Sequence, residues 1–210
     1  YSYQAAKSYI ETNIQGTYNV LEAANNDGAE RVIVTSTSEC YGTMQYGPMD
    51  EAHPIYPQSP YAASKVGADA MALAYHLSFG LPVLILRPFN TMGPRQSLRA
   101  VIPQIICQLL ECKANGTNRL LLGNAEAERD FTYVSDTVEG FVKAGITEIE
   151  ARGQAINLGS RACVSIAEVA TLAASIMGID DVEISLDPLR MRPGDSEVDR
   201  LLSNNDKARV

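Results

Sequence analysis

Two apolar runs constrain this chain more than any other feature: "RVIV" at 31–34 and "LPVLILRP" at 81–88. Neither alternates apolar with polar residues, so neither suits a strand with one face in water. Such runs fit parallel strands covered by helices on both faces. Between them, "SPYAASKVGADAMALAYHLSFG" reads as a helix, with Ser59 suited to the N-cap, Pro60 to the first helical position and Gly80 to the stop. Upstream, from about Lys7 to Asn26, apolar residues recur at helical spacing (Ile10, Ile14, Tyr18, Leu21, Ala24), and "DGAE" makes a turn into the first run. Helix, strand, helix, strand with fully apolar strands predicts a doubly wound α/β fold with a parallel sheet.

After Pro88 the pattern loosens. Residues 43–58 and "FNTMGPRQ" read as loops. A helix is predicted from about Arg99 to Cys112, then a strand "NRLLLG", a helix "SDTVEGFVKAGI" and a third apolar strand "QAINLG". A helix capped by Ser165 and a last strand "VEISL" follow, and the tail is polar. Residues 1–90 are expected to form part of a dinucleotide-binding domain. Residues 91–210 are expected to be mainly a smaller, mixed α/β substrate lobe, with segments returning to the sheet.

The net charge of −8 argues against a nucleic-acid partner. No apolar run approaches the ~20 residues a membrane span needs, so no membrane partner is expected. Four cysteines without a CxxC pair read as reduced thiols of a cytoplasmic protein. Two histidines, His53 in a loop and His76 on a helix surface, leave no basis for a multi-histidine metal site. Asp50 and Glu51 read as solvated, and Cys40 as a buried small hydrophobe.

Chemistry concentrates in "TSTSECYGT", directly behind the first apolar run, and in the helix that follows. Tyr61 and Lys65 stand four residues apart, on one helix face. A phenol with an ordinary pKa of ~10 is a poor base at neutral pH, and a nearby ammonium favours its ionised form. Helices also carry Tyr and Lys at this spacing by chance. Thr37 gives the pair more weight, because it stands at the carboxyl end of a buried strand, where open α/β sheets bind ligands.

"TSTSECYG", "SPYAASK", "LRPFNTMGPRQ", "NIQGTYNVLEAA" and "RDFTYVSDTVEGF" together resemble the extended short-chain dehydrogenases/reductases that act on nucleotide sugars, over essentially the whole chain. The resemblance implies an NAD(P)-binding Rossmann-like fold and a tightly held NAD that stores a hydride transiently. It implies a catalytic group of Thr37, Tyr61 and Lys65, with Asn13 propping the geometry, and cofactor contacts from Thr35, Tyr61, Lys65 and Pro88. Ser38 and Glu39 in the "TSE" triplet resemble the 4,6-dehydratases or the UDP-glucuronate decarboxylases rather than the epimerases. Glu39 would then be the base that removes the carbon 5 proton before water leaves carbon 6. Many dTDP-glucose 4,6-dehydratases have Asp where Ser38 stands, so Glu39 alone or a relay through Ser38 would protonate the leaving hydroxyl. Neighbouring stretches look most like UDP-N-acetylglucosamine 4,6-dehydratases.

For a nucleotide-diphosphate sugar, Arg129, Arg192 and Asn90 match substrate-binding positions, since arginine grips phosphate bidentately. Arg87 is either a substrate contact or the partner of a carboxylate, and Arg95 reads as surface. The family resemblance also implies a homodimer built on the helices at about 7–26 and 60–79. No GxxGxxG occurs and position 1 is not Met, so the chain reads as starting inside a fold, with poor behaviour expected of these residues alone. A nucleotide-sugar-binding protein without turnover is the competing reading from another class.

Overall fold

The computed structural model describes residues 2–146 and 152–209. The first helix runs as α1 (Ala6–Tyr9), a π-helical turn (Ile10–Gln15) and α2 (Gly16–Asn26). Strand β1 is Val32–Thr35, followed by a 3₁₀ turn over Ser38–Tyr41, and α3 is Pro60–Phe79. Ser59 caps α3 by accepting from Ala62 N, and Gly80 ends it in the left-handed region. Strand β2 is Val83–Pro88, and β6, defined below, lies on its other side.

Then come β3 (Asn90–Met92), α4 (Val101–Asn115), β4 (Arg119–Leu122), β5 (Glu128–Tyr133) and α5 (Val134–Ile146). The chain continues through β6 (Gln154–Leu158), β7 (Cys163–Ser165), α6 (Ile166–Met177) and β8 (Glu183–Leu186). The main sheet is β1-β2-β6, parallel throughout, with Val34 opposite Ile85 and Leu86 opposite Ile156. A second sheet, β3-β5-β7, pairs β3 with β5 in parallel and β5 with β7 antiparallel. A third pairs β4 with β8.

Strand β2 shows why the apolar runs are continuous. Successive side chains of a strand point to opposite faces. Val83 and Ile85 join Leu21, Ala72, Tyr75 and Leu81 under α2 and α3, whereas Leu84 and Leu86 join Ala144 and Ile156 under α5. Each such side chain contributes roughly 1.5–3 kcal/mol on burial. The lobe has its own core, where Ile105 and Leu109 of α4 meet Leu120, Leu122, Ala170 and Ala174.

Four local expectations are corrected. "FNTMGPRQ" contains strand β3, held by ladder bonds to β5 rather than by apolar pattern. The fourth helix begins at Val101, which puts Pro103 in its first turn, where a missing N–H costs nothing. The 43–58 loop is not wholly at the surface: Met49 and His53 are buried, and Glu51 accepts from Asn157 N at 2.8 Å. The tail is not merely polar. Val198 and Leu201 pack with Tyr41, Met49 and Phe89, and Ser203 bridges to Met49.

Candidate active site

The site stands at the carboxyl ends of β1 and β2. Past Thr35, Ser36, Thr37 and Ser38 are all buried, and the backbone turns into the 3₁₀ segment. Thr37 Oγ1 starts that turn by accepting from Glu39 N at 3.3 Å. Gly42 ends it at φ +67°, where a Cβ would lie 2.3 Å from the Tyr56 carbonyl, so only glycine fits. Glu39 is thereby turned out of the strand line into a cleft of ≈ 460 Å³, which it lines together with Tyr61, Tyr9, Ser59 and Arg192.

Helix α3 presents Tyr61 and Lys65 to the strand end. Thr37 hydrogen-bonds the Tyr61 phenol, and Lys65 Nζ donates to the Thr35 carbonyl at 2.5 Å. Burial pushes Tyr61 up to about 12, against the Thr37 bond, while Glu39, Cys40 and Tyr9 push the same way as burial. Burial lowers Lys65, with Asp69 and then Cys40 opposing. Asn13, on the π-helical turn, donates to Ser64 Oγ at 2.8 Å, and Ser64 donates to the Tyr61 carbonyl at 2.7 Å. It therefore touches α3 rather than the cleft. Pro88 closes β2 beside this group.

A second cleft, ≈ 340 Å³, adjoins the first through Arg99, Arg190 and Arg192, which line both. Arg129, Asn90, Gln104 and the α4 start at Ala100–Ile102 complete its wall, with Glu197 the one carboxylate in it. The α4 N-terminus has no side-chain cap, which leaves its first N–H groups and the positive end of the helix dipole at the cleft wall. Burial first, then the nearby Arg192, hold the Arg129 guanidinium below its ordinary range, even though Glu197 lies 3.5 Å away. Asn90 Oδ1 is buried without a hydrogen-bond partner. Arg192 also reaches back to Glu39 Oε1 at 3.7 Å, which links the two clefts.

Arg87 lines neither cleft. It is buried on Asp69, at 2.9 Å, and on Tyr41, so of its two readings the structure carries the carboxylate pair. Arg95 is exposed, at φ +66°. Cys40 is fully buried and pushed up to about 11 by burial. Arg99, Arg190 and Tyr9 belong to the site and were not foreseen. The sequence signal for Arg190 is its place two residues before Arg192 in "RMRPGD".

A parallel α/β sheet with a Thr–Tyr–Lys group at its strand ends is the architecture of the Rossmann-like short-chain dehydrogenases/reductases. Within that class, the chain belongs to the GDP-mannose 4,6 dehydratase family, whose model matches residues 1–210. It is 35% identical over 178 residues (83% of this chain, 52% of the relative) to a dTDP-glucose 4,6-dehydratase of Streptomyces griseus. It is 34% identical over 206 residues (92% and 47%) to UDP-glucuronic acid decarboxylase 1 of Xenopus tropicalis. Among solved structures, the dTDP-glucose 4,6-dehydratase DesIV of Streptomyces venezuelae, with NAD bound, superposes with a TM-score of 0.82 at 32% identity, covering 98% of this chain and 61% of that one. The chain spans about half the length of these curated relatives.

Proposed function

We propose that the protein is an NAD-dependent nucleotide-sugar 4,6-dehydratase. The observation that carries this is the shared cleft: Glu39 and Tyr61, two groups able to take protons, line one cavity that opens into an arginine-lined one. The arginine cleft suits a nucleotide diphosphate, held by Arg129, Arg192 and Asn90, and the Glu39–Tyr61 cleft suits its sugar. On this reading residues 1–90 carry part of the cofactor domain, and residues 91–210 mainly hold substrate.

The residues present fit the nicotinamide-ribose end of NAD. An ammonium has three N–H groups, so the Lys65 bond to Thr35 leaves donors for a ribose hydroxyl. NAD, when bound, takes the hydride from sugar carbon 4 and returns it to carbon 6. Tyr61, hydrogen-bonded to Thr37, accepts the 4-hydroxyl proton. The resulting 4-keto group acidifies carbon 5, and Glu39 removes that proton. Water leaves carbon 6, with its proton supplied by Glu39 or through Ser38. The phenol at about 12 is too weakly ionised to start this alone, so Lys65 must swing part of its charge toward Tyr61 in the loaded site.

A second reading, decarboxylation, draws on the 34% identity to UDP-glucuronic acid decarboxylase 1. Mass spectrometry on the full-length protein decides between them. UDP-N-acetylglucosamine, dTDP-glucose, GDP-mannose and UDP-glucuronate are supplied in parallel with NAD. Loss of water from one of the first three supports dehydration and names the substrate. Loss of carbon dioxide from the last establishes the decarboxylase, and an isomer of unchanged mass an epimerase. We further propose a cytosolic homodimer through α2 and α3, which expose Val20, Leu73, Leu77 and Phe79.

A further inference from the structure

Three successive turns of α3 grip three successive residues at the end of β1. Tyr61 bonds Thr37, Lys65 donates to the Thr35 carbonyl, and Asp69, one turn further on, accepts from Ser36 Oγ at 2.8 Å. Spacing of four places all three on one helix face. The Asp69 oxygen that takes Ser36 also takes Arg87 Nε at 3.1 Å and Nη2 at 2.9 Å, and Arg87 Nη1 continues to the Tyr41 hydroxyl at 3.0 Å. One carboxylate oxygen thus ties α3, β1 and β2 together directly behind the acid–base group. Asp69 is 6% exposed, and its other oxygen is buried with no hydrogen-bond partner. Stability alone does not favour this arrangement, since well-packed apolar residues often replace a buried ion pair without loss.

We propose that Asp69 is a positioning residue of the reaction: through Ser36 and Arg87 it sets the β1 end, and so Thr37, against Tyr61. This rests on the reading of Thr37, Tyr61 and Lys65 as the acid–base group. The groups acting on Lys65 are burial, which lowers it, and Asp69 and Cys40, which oppose burial. The Cys40 thiol, pushed up to about 11, is neutral at working pH, so Asp69 is the carboxylate that counts. Tyr61 shares the helix with Lys65, Glu39 acts on Tyr61 from the 3₁₀ turn, and Arg87 of β2 stands against Asp69. Without Asp69, the burial that lowers Lys65 loses its chief opponent.

The test uses the full-length protein with NAD and compares wild type, Asp69→Asn and the double variant Asp69→Asn/Arg87→Met. The double variant leaves no uncompensated guanidinium and so guards against simple misfolding. Expected in both is a kcat lower by about 10²-fold, the scale of a small misplacement of reacting groups, with KM within about two-fold, because the arginine cleft is untouched. The Lys65 titration, followed by NMR of 13C-labelled lysine and assigned with Lys65→Arg, is expected to move to lower pH in both. A folded variant with wild-type kcat overturns the proposal. So does a fall in kcat with the Lys65 titration unmoved, which marks Asp69 as structural only. A wild-type protein inactive on all four nucleotide sugars overturns the proposed function instead, and Asp69 is then judged on the Lys65 titration alone.

Discussion

The two halves of the site are built by opposite means. The acid–base half rests on a strand end and a helix start, with its polar groups backed by buried partners: Ser36, Asp69, Arg87 and Tyr41. Apart from Asn90 on β3 and Arg129 on β5, the anion half rests on loops, a short 3₁₀ turn at Pro188–Arg190 and the bare N-terminus of α4. Arg99 and Arg190 are exposed, Arg192 is half-buried and Arg129 buried, and Arg190 is held by Asp187 on its own turn. Proton transfer depends on sub-ångström placement, so its groups need a rigid seat. Phosphate attraction falls off slowly with distance, so flexible arms serve it.

That contrast breaks first at Tyr61. On the proposed reading, Tyr61→Phe removes the group that accepts the 4-hydroxyl proton and is expected to lower kcat by about 10³–10⁴-fold, near the upper range of general-base catalysis, while the KM of the nucleotide sugar stays within about three-fold. A parallel rise in KM would show that the two halves are not separable.

Next in size is Glu39→Gln, expected to slow loss of water by about 10²–10³-fold while the 4-keto intermediate still forms and is seen by NADH absorbance or borohydride trapping. Dehydration at the normal rate would remove Glu39 from the chemistry. Its contact with Arg192 predicts that the same variant binds substrate slightly tighter, because the arginine is then released to the diphosphate.

Arg192→Ala tests the flexible half. It is expected to raise KM about 10–50-fold, the effect of losing roughly 1.4–2.3 kcal/mol of phosphate contact, with kcat changed by less than about five-fold. A collapse of kcat instead would place Arg192 in the proton chemistry through Glu39.

The pH profile sharpens the comparison further. Burial holds Tyr61 up at about 12, so its base form grows as pH rises, and the acidic limb of kcat reports it. Lys65→Met is expected to move that limb up by about one pH unit or more, the scale of a lost neighbouring charge. An unmoved limb would leave Lys65 as a cofactor ligand only. The smallest effect belongs far from the site. Ser165 and Glu168 form a reciprocal capping box at the start of α6, so Ser165→Ala is expected to cost about 1 kcal/mol in a denaturant melt without changing kcat.

What could be read in the sequence follows the same divide. β2 was visible because burial on both faces demands a nearly continuous apolar run, β1 and β6 because each carries a short apolar stretch, and α3 because Ser59, Pro60 and Gly80 mark its ends. Strands β3 and β7, three residues each, carry no period long enough to detect, and β5, "ERDFTY", buries a charged pair (Arg129, Asp130) where pattern reading expects apolar ones. Thr37, Tyr61 and Lys65 were legible as types at a spacing. Asp69 was not, since an acidic residue on a helix reads as solvated until the Arg87 guanidinium is seen against it. Arg99 and Arg190 were hidden for a different reason: their loops meet across the cleft only after the lobe folds.

The π-helical turn at Ile10–Gln15 has a further consequence. A wide turn of this kind holds one residue more than an α-helical turn. Everything before it, including Tyr9 on the Tyr61 ring at 5.8 Å and the Ser2–Tyr3 segment that walls the sugar cleft, is therefore phased about 100° away from where a regular helix would leave it. The wall is set by counting as much as by chemistry. Removing a single residue from 10–15, with no change to any group facing the cleft, would rotate its upstream border out of place, while Leu21 and the rest of α2 kept their seat on the sheet.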